Sequence, residues 1–226
     1  MTERARSEEE RAYYALNERV FASFAPFYDA VTFPIRGLRR QVVTMVDVGP
    51  EARVLDVATG TGAQAAAFAT RAREVVGVDL SDAMLRVARR MNRFPNVTFL
   101  HGDATRLPFD DATFDVTCVS FGLHEMPDGV RRQAVHEIAR VTKASGLVAV
   151  VDYGLPRNRV ARLLAYHTVK VYERGHYATF VKQDLEALLE SAGIEPSASR
   201  RPLFGLVQVV VGHPSRGGRL RAMPYA

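Results

Sequence analysis

The chain has 226 residues, of which 47% are hydrophobic and 24% are charged, and its formal net charge is +5. This length fits one domain with a sizeable core, and the composition excludes disordered, collagenous and coiled-coil proteins. No apolar run approaches the roughly 20 residues that cross a bilayer, and the charged N-terminus lacks the apolar stretch of a signal peptide, so we expect a cytoplasmic protein. The single cysteine, Cys118, and the scattered histidines predict neither a disulfide nor a metal site.

The first fifty residues are rich in aromatic side chains and show no strand pattern, which predicts a helical cap. From Arg53 onward, short apolar runs alternate with amphipathic stretches, as in a mostly parallel sheet covered by helices. Ser81 is the predicted cap of the helix after the second strand, and Gly146 is predicted to lie beyond the end of the helix that Asp128 opens. The predicted strands of this part are Arg53–Ala58, Glu74–Leu80, Val97–Gly102, Phe114–Ser120 and Leu147–Tyr153.

After Tyr153 the pattern changes to longer helices followed by two more strands. Gly205 between these strands predicts a hairpin, and the last residues predict a basic tail. The predicted elements are a helix over Asn158–Glu173, a link over Arg174–Phe180, a helix over Val181–Ala192, and strands over Ser197–Leu203 and Leu206–Gly212.

Residues 54–63 read VLDVATGTGA, a buried strand that runs into a glycine turn and then a helix. Gly60 and Gly62 allow unusual backbone dihedrals and let a ligand approach the main chain. The spacing Gly60-x-Gly62-x-x-Ala65 also satisfies the dinucleotide fingerprint, with Asp79 as the acid that holds a ribose. On spacing alone, a plain tight turn, a dinucleotide site and another nucleoside site all stay open.

Three acids follow or end successive predicted strands, namely Asp56, Asp79 and Asp103. Because the carboxyl ends of parallel strands meet at one edge of a sheet, we expect these carboxylates to lie near one ligand. A carboxylate at Asp56 disfavours a pyrophosphate and suits a ligand with an ammonium group. The three acids therefore favour a nucleoside that carries an amino acid over a nicotinamide dinucleotide.

Four motifs carry a resemblance to a known family: VLDVATGTG, VVGVDLSDAML, FLHGDATRLPFDDATFDVTCVSFGLHEMPD and HEIARVTKASGLVAVVDY. Together they resemble the class I S-adenosylmethionine-dependent methyltransferases, over most of residues 20–212. The string VFASFAPFYD near the N-terminus is similar to the opening of the ubiquinone/menaquinone C-methyltransferases. The resemblance implies an α/β fold with a doubly wound, mostly parallel seven-stranded sheet, a Rossmann-like methyltransferase fold with a C-terminal antiparallel hairpin.

We expect a single domain with four parts. Residues 1–50 form the helical cap, residues 51–155 the cofactor-binding half, and residues 156–182 an insertion on the acceptor side. Residues 183–226 hold the final helix, the hairpin and the basic tail.

The resemblance implies S-adenosyl-L-methionine as the cofactor. Gly60 and Gly62 would pass under its methionine part, and Asp79 would bind the ribose hydroxyls. The chain departs from the family at Ala58, where a glycine is common, and at residues 144–146, where Pro-Gly-Gly is common. The predicted cofactor residues are Tyr28, Asp56, Ala58, Gly60, Gly62, Asp79, Leu80, Met84, Asp103, Ala104, Ser120 and Phe121.

Methyl transfer from a sulfonium is an in-line displacement, which needs a base only when the acceptor must lose a proton. His124 is the first candidate, because the loop after the fourth strand faces the methyl group in this family; ordering of that loop is its alternative role. His176, in the insertion, and Tyr153, at the end of the fifth strand, are the further catalytic candidates.

These observations predict a methyltransferase that acts on a small-molecule or lipid-like acceptor. A quinone-type C-methyltransferase and a non-catalytic S-adenosylmethionine-binding module stay open as alternatives. No nucleic-acid substrate is expected, because the Asn/Asp-Pro-Pro-Tyr/Phe run of base methyltransferases does not follow the fourth strand. The basic charge and the apolar cap predict peripheral contact with a membrane, and the oligomeric state stays open.

Overall fold

The structure is a computed structural model of the chain, and it describes residues 7–15, 36–172 and 176–215. The described part of the predicted cap contains two helices, α1 over residues 8–15 and α2 (Arg36–Met45). The other helices are α3 (Ala63–Ala69), α4 (Asp82–Met91), α5 (Asp128–Val141), α6 (Arg159–Tyr172), α7 (Tyr177–Phe180) and α8 (Leu185–Ser191). The strands are β1 (Arg53–Val57), β2 (Glu74–Asp79), β3 (Val97–His101), β4 (Phe114–Ser120), β5 (Thr142–Tyr153), β6 (Ile194–Arg200) and β7 (Val207–Pro214).

The strands form one seven-stranded sheet in the order β3-β2-β1-β4-β5-β7-β6. Strands β1 to β5 pair in parallel, whereas β7 is antiparallel to both β5 and β6. This arrangement confirms the predicted mostly parallel sheet with a C-terminal antiparallel hairpin. The chain leaves β1 toward β2 and β3 on one side and later returns to β4 on the other. Ligands of such sheets bind at the carboxyl ends of the strands, beside this switch point.

Both faces of the sheet are covered by apolar side chains. In β1, Leu55 and Val57 pack into one cluster with residues of α5 and α8, while Val54 packs into a second cluster with residues of α2, α3 and α4. Burial on both faces explains why the parallel strands appear in the sequence as continuous apolar runs rather than as alternating patterns.

The predicted helix signals after β2 and before β5 agree with the structure. The Ser81 hydroxyl accepts the amide N–H of Met84, at 3.4 Å, in the first turn of α4. Helix α5 begins at Asp128, as predicted, and buries an apolar stripe made of Val130, Ala134, Ile138 and Val141.

Several predicted boundaries were wrong. Strand β5 begins at Thr142 instead of Leu147, because Thr142 pairs with Phe114, so Gly146 lies inside the strand rather than in a turn. The link predicted over residues 174–180 contains α7. Helix α8 begins four residues later than predicted, because the Asp184 carboxylate caps it by accepting two amide N–H groups.

The last two strands are also displaced from their predicted bounds. Gly193 takes a φ of 76° and ends the preceding turn, so β6 begins at Ile194 rather than Ser197. Leu203–Gly205 form a short 3-10 turn instead of continuing β6, and β7 then runs to Pro214. Within the described ranges, no helix has the length and apolarity needed to cross a bilayer.

Candidate functional site

An open cleft lies at the carboxyl edge of the sheet, beside the switch point between β1 and β4. The space inside it is about 660 Å³ when the part open to solvent is included. Tyr13, Gly122 and Glu125 line it without having been predicted. The predicted cofactor residues that line it are Ala58, Gly60, Asp79, Leu80, Met84, Asp103, Ala104 and Phe121.

The structure places the remaining predicted cofactor residues elsewhere. Asp56, Gly62 and Ser120 are not among the lining residues of the cleft, and Tyr28 lies outside the described residues. Gly62 has a φ of 78°, and a Cβ at this position would approach the Phe99 ring to 2.6 Å. The Gly62 position is therefore restricted by packing between the glycine turn and β3, while a role toward the cofactor stays a prediction.

Asp79 joins the glycine turn to the start of α4. One carboxylate oxygen accepts the Gly60 amide at 2.7 Å, and the other accepts the Ser81 amide at 2.8 Å. Burial raises the pKa of Asp79, and the two amide hydrogen bonds oppose this effect. A carboxylate has roughly four acceptor positions, so these two bonds leave capacity for ligand hydroxyls.

Asp56 lies beneath the glycine turn rather than in the cleft. Its side chain is 1% exposed and accepts the Thr59 hydroxyl at 2.6 Å. Burial raises its pKa to about 7, against the lowering effects of the Thr59 bond, the Ala65 amide and the positive charge of Arg39. Its predicted contact with a ligand ammonium group stays a prediction.

Helix α1 lies across the cleft. Tyr13 lines the cleft, and burial raises the pKa of its phenol well above the ordinary value. Tyr14 donates its hydroxyl to Asp103 at 2.8 Å, and Glu9 lies 3.3 Å from Nδ1 of His176. These contacts place α1, one of the two described helices of the predicted cap, directly over predicted cofactor residues.

Ala58 and Gly122 approach each other at the floor of the cleft. Ala58 has a φ of 53°, a conformation in which glycine is common, which explains the family's frequent glycine here. A Cβ at Gly122 would lie 2.8 Å from the Cβ of Ala58. The missing side chain at Gly122 therefore makes room for the extra methyl group at Ala58.

We expect Gly122→Ala to lower the free energy of unfolding by about 1–3 kcal/mol through this clash. Ala58→Gly in the same chain removes the opposing methyl group and should recover most of the loss. Urea unfolding of both single variants and the double variant measures the coupling. Gly37→Ala is the control, because no described residue lies within 4 Å of a Cβ there. If the changes in the free energy of unfolding of the two single variants simply added in the double variant, the assigned contact would be contradicted.

His124 lies in a short 3-10 turn, Leu123–Glu125, directly after β4, and is 2% exposed. Its Nδ1 is 2.7 Å from Oδ1 of Asp152, a fully buried residue in the penultimate position of β5. The other oxygen of Asp152 accepts the amides of Leu123 and His124, at 3.0 and 3.2 Å. Because an ionised carboxylate only accepts hydrogen bonds, Nδ1 is the donor in this pair, and Nε2 is left to act as the acceptor when the ring is neutral.

Sequence reasoning did not assign a role to Asp152. Its signal in the sequence was an acid inside an otherwise apolar strand, where a buried charge needs partners. The structure identifies these partners as one imidazole and three backbone amides, the third being Tyr153 at 2.7 Å.

Arg131 is a second residue that sequence reasoning missed. It is 1% exposed and donates to the carbonyl groups of Leu123 and Met126, which fixes the turn that carries His124. Its third partner is Oε1 of Gln183 at 2.6 Å, and its guanidinium stacks on the Phe180 ring. Burial lowers its pKa from the ordinary value. An arginine on the buried stripe of α5 was the available signal.

Tyr153 lies beside His124, as part of an aromatic cluster. Its ring centroid is 4.7 Å from that of His124 and 5.4 Å from those of Phe121 and Tyr177. Tyr166 of α6 extends the cluster, with its centroid 6.3 Å from Tyr177. The structure therefore brings two of the three catalytic candidates together. The third, His176, lies beside α1, with its Nδ1 3.3 Å from the Glu9 carboxylate, and burial lowers its pKa.

Comparison with known proteins agrees with this geometry. A family model described as a methyltransferase domain matches residues 54–146. The chain is 34% and 35% identical, over 184 residues, to the demethylmenaquinone methyltransferases of Paenarthrobacter aurescens and Renibacterium salmoninarum. Each match covers 79% of this chain, and it spans 66% and 71% of the respective relatives.

Solved structures share the fold. A SAM-dependent methyltransferase from Aquifex aeolicus matches with a TM-score of 0.62 at 19% identity, over 78% of this chain and 89% of that one. The DhpI–SAH complex matches with a TM-score of 0.68 at 17% identity, over 91% of this chain and 98% of that one. The fold, the residues that line the cleft and the sequence relatives all indicate the same family. The chain belongs to the class I S-adenosylmethionine-dependent methyltransferases, in the ubiquinone/menaquinone branch.

Proposed function

We propose that this methyltransferase acts on a ring carbon of a quinol-type acceptor, with His124 as the base and Asp152 as its positioning partner. The observation that carries the proposal is the buried His124–Asp152 pair next to both the cleft and an aromatic cluster. The two relatives named demethylmenaquinone methyltransferase support the same acceptor class. Aromatic walls suit a planar ring because offset and edge-on ring contacts are favourable.

The lining of the cleft fits S-adenosylmethionine, the cofactor of the family. Asp79 has acceptor capacity for ribose hydroxyls, and Gly60 exposes the backbone without a side chain. Asp103 with Ala104 would hold the adenine, and Leu80 with Met84 would pack on it. When bound, the cofactor supplies an electrophilic methyl group on a sulfonium.

His124 would take up a proton from a hydroxyl group of the acceptor at Nε2. The oxyanion left on the ring makes the neighbouring ring carbon nucleophilic. After methylation the same carbon loses its hydrogen as a proton to solvent, and the ring oxygen regains a proton from the His124 imidazolium, which restores aromaticity and the neutral base. Asp152 stabilises the imidazolium that forms, an interaction that its exclusion from water strengthens. Arg131 keeps the turn in place throughout.

The test is transfer of an isotopically labelled methyl group to a short-chain demethylmenaquinone, supplied in its reduced or its oxidised form. We expect label on a ring carbon with the reduced form only, because only the quinol has a hydroxyl proton to give. Mass spectrometry and carbon NMR locate the label. Transfer to phenol oxygen or amine nitrogen of other acceptors, with none to the quinol, would contradict the acceptor class and leave the enzyme class intact.

A further inference from the structure

Helix α6 carries apolar side chains on its solvent side. Val160, Leu163 and Leu164 are 68%, 60% and 64% exposed, at the spacing of one helical stripe. Tyr166, about a third of a turn around the helix from this stripe, reaches the aromatic cluster. The exposed stripe therefore lies on the outer side of the helix that flanks the proposed acceptor site.

The turn between β6 and β7 exposes a second apolar group. Phe204 is 97% exposed, Leu203 47% and Leu206 36%. Leu203 and Phe204 have φ values of 51° and 57°, a left-handed conformation that is uncommon for bulky side chains. Strained backbone of this kind is often found at functional positions, and here it directs the side chain of Phe204 toward solvent.

The two groups lie on elements that contact each other. The Gly154 amide donates to the carbonyl of Leu206 at 2.9 Å, and a Cβ on Gly205 would lie 3.2 Å from Cα of Pro156. Arg162 of α6 donates to the carbonyl of Pro156 at 3.0 Å. The turn is thus joined, through residues 154–156, to the first turns of α6. We call this surface the apolar rim, made of Val160, Leu163, Leu164, Leu203, Phe204 and Leu206.

The surroundings of the apolar rim are basic. Residues 154–172 and 196–215 contain no aspartate or glutamate. The same segments contain exposed arginines at the edge of the rim, namely Arg157, Arg159, Arg162, Arg200 and Arg201. Apolar side chains ringed by cations match the boundary between phosphate headgroups and acyl chains.

We propose that the apolar rim docks on the surface of an anionic lipid bilayer. Phe204 and the α6 stripe enter the boundary between headgroups and acyl chains, while the arginines contact lipid phosphates. In this orientation α6 lies between the bilayer and the aromatic cluster. The surface differs from the apolar cap, to which the sequence analysis attributed membrane contact.

The chain contains no tryptophan, so Phe204→Trp places a single fluorescent reporter in the rim. With vesicles that contain phosphatidylglycerol, we expect its emission to move to shorter wavelength and to be quenched by brominated acyl chains. Vesicles of phosphatidylcholine alone, or high salt, should give a much smaller change. Adding Leu163→Glu and Leu164→Glu should weaken vesicle binding about tenfold or more.

Met91→Trp is the matched control, because Met91 is 55% exposed on α4, beside a separate groove lined by Arg40 and Arg71. A shift for Phe204→Trp but not for Met91→Trp supports the rim. No shift at Phe204, or a shift at Met91 instead, would overturn it. A shift at Phe204 that grows with protein concentration and needs no vesicles would also overturn it, because a second copy would then cover the rim. None of these readouts depends on the cofactor or the acceptor.

Discussion

Replacing His124 by glutamine is expected to lower kcat by about 10²–10⁴-fold, the usual contribution of a positioned base. The affinity for S-adenosylmethionine should change little, because His124 is not among the residues that line the cleft. The rise of kcat with pH that an imidazole base produces should disappear in this variant. Steady-state kinetics as a function of pH, with calorimetric titration of the cofactor, measure both effects.

Asp152→Asn tests the positioning role. An asparagine amide can donate to Nδ1 and so favours the tautomer with the proton on Nε2, which is no longer a base. We therefore expect a fall in kcat with KM for the acceptor nearly unchanged, and a flattened pH profile. A purely structural role would instead lower the stability of the protein without changing the shape of that profile.

His213→Gln is the control for both variants, because His213 is an exposed residue near the opposite end of β5, bonded to the carbonyl of Gly146. Normal kcat and an unchanged pH profile for His124→Gln would mean that His124 only orders its turn. The acceptor would then need no base, or another group would supply it.

Asp79→Asn is expected to weaken the binding of S-adenosylmethionine and S-adenosylhomocysteine by about 10²-fold or more. Each hydrogen bond between a hydroxyl and a charged carboxylate contributes about 1.5–3 kcal/mol, and a ribose offers two hydroxyls. Calorimetric titration measures the affinities, and NAD should bind neither the wild-type protein nor the variant.

Asp82→Asn is the matched control, since it removes a nearby carboxylate that is exposed in the first turn of α4 and lies outside the cleft. Equal affinities for Asp79→Asn and the wild-type protein would contradict the assigned ribose contact. Equal losses in both variants would point to the general loss of negative charge rather than to a specific contact.

Local patterns in the sequence were enough to predict the order and type of most elements. The apolar runs of β1 to β4 stand out because strands buried on both faces admit almost only apolar residues. The turn that contains Gly60 and the acid Asp79 were recognisable because each depends on residues within one strand–turn–helix unit. Boundaries failed where a pairing partner decided them, as for Thr142 opposite Phe114.

The chemistry of the site was predicted only in part. His124 and Tyr153 were identified from their positions after β4 and at the end of β5, but their contact was not. Asp152 was read as part of a motif and not as the partner of an imidazole 28 residues away. Arg131 and its hydrogen-bond partner Gln183 are 52 residues apart in the chain, so no local pattern predicted their contact.

Short-range periodicity and residue type were sufficient to predict the sheet, the glycine turn and the carboxylates at the carboxyl edge of the sheet. The contact of Tyr14 of α1 with Asp103, the contact of Asp152 with His124 and the exposure of the apolar stripe of α6 became apparent only in the folded chain. Each of these depends on which surfaces the packed helices and strands bring together. A pair interaction between residues far apart in the chain leaves no local pattern, since either residue alone is also compatible with other partners.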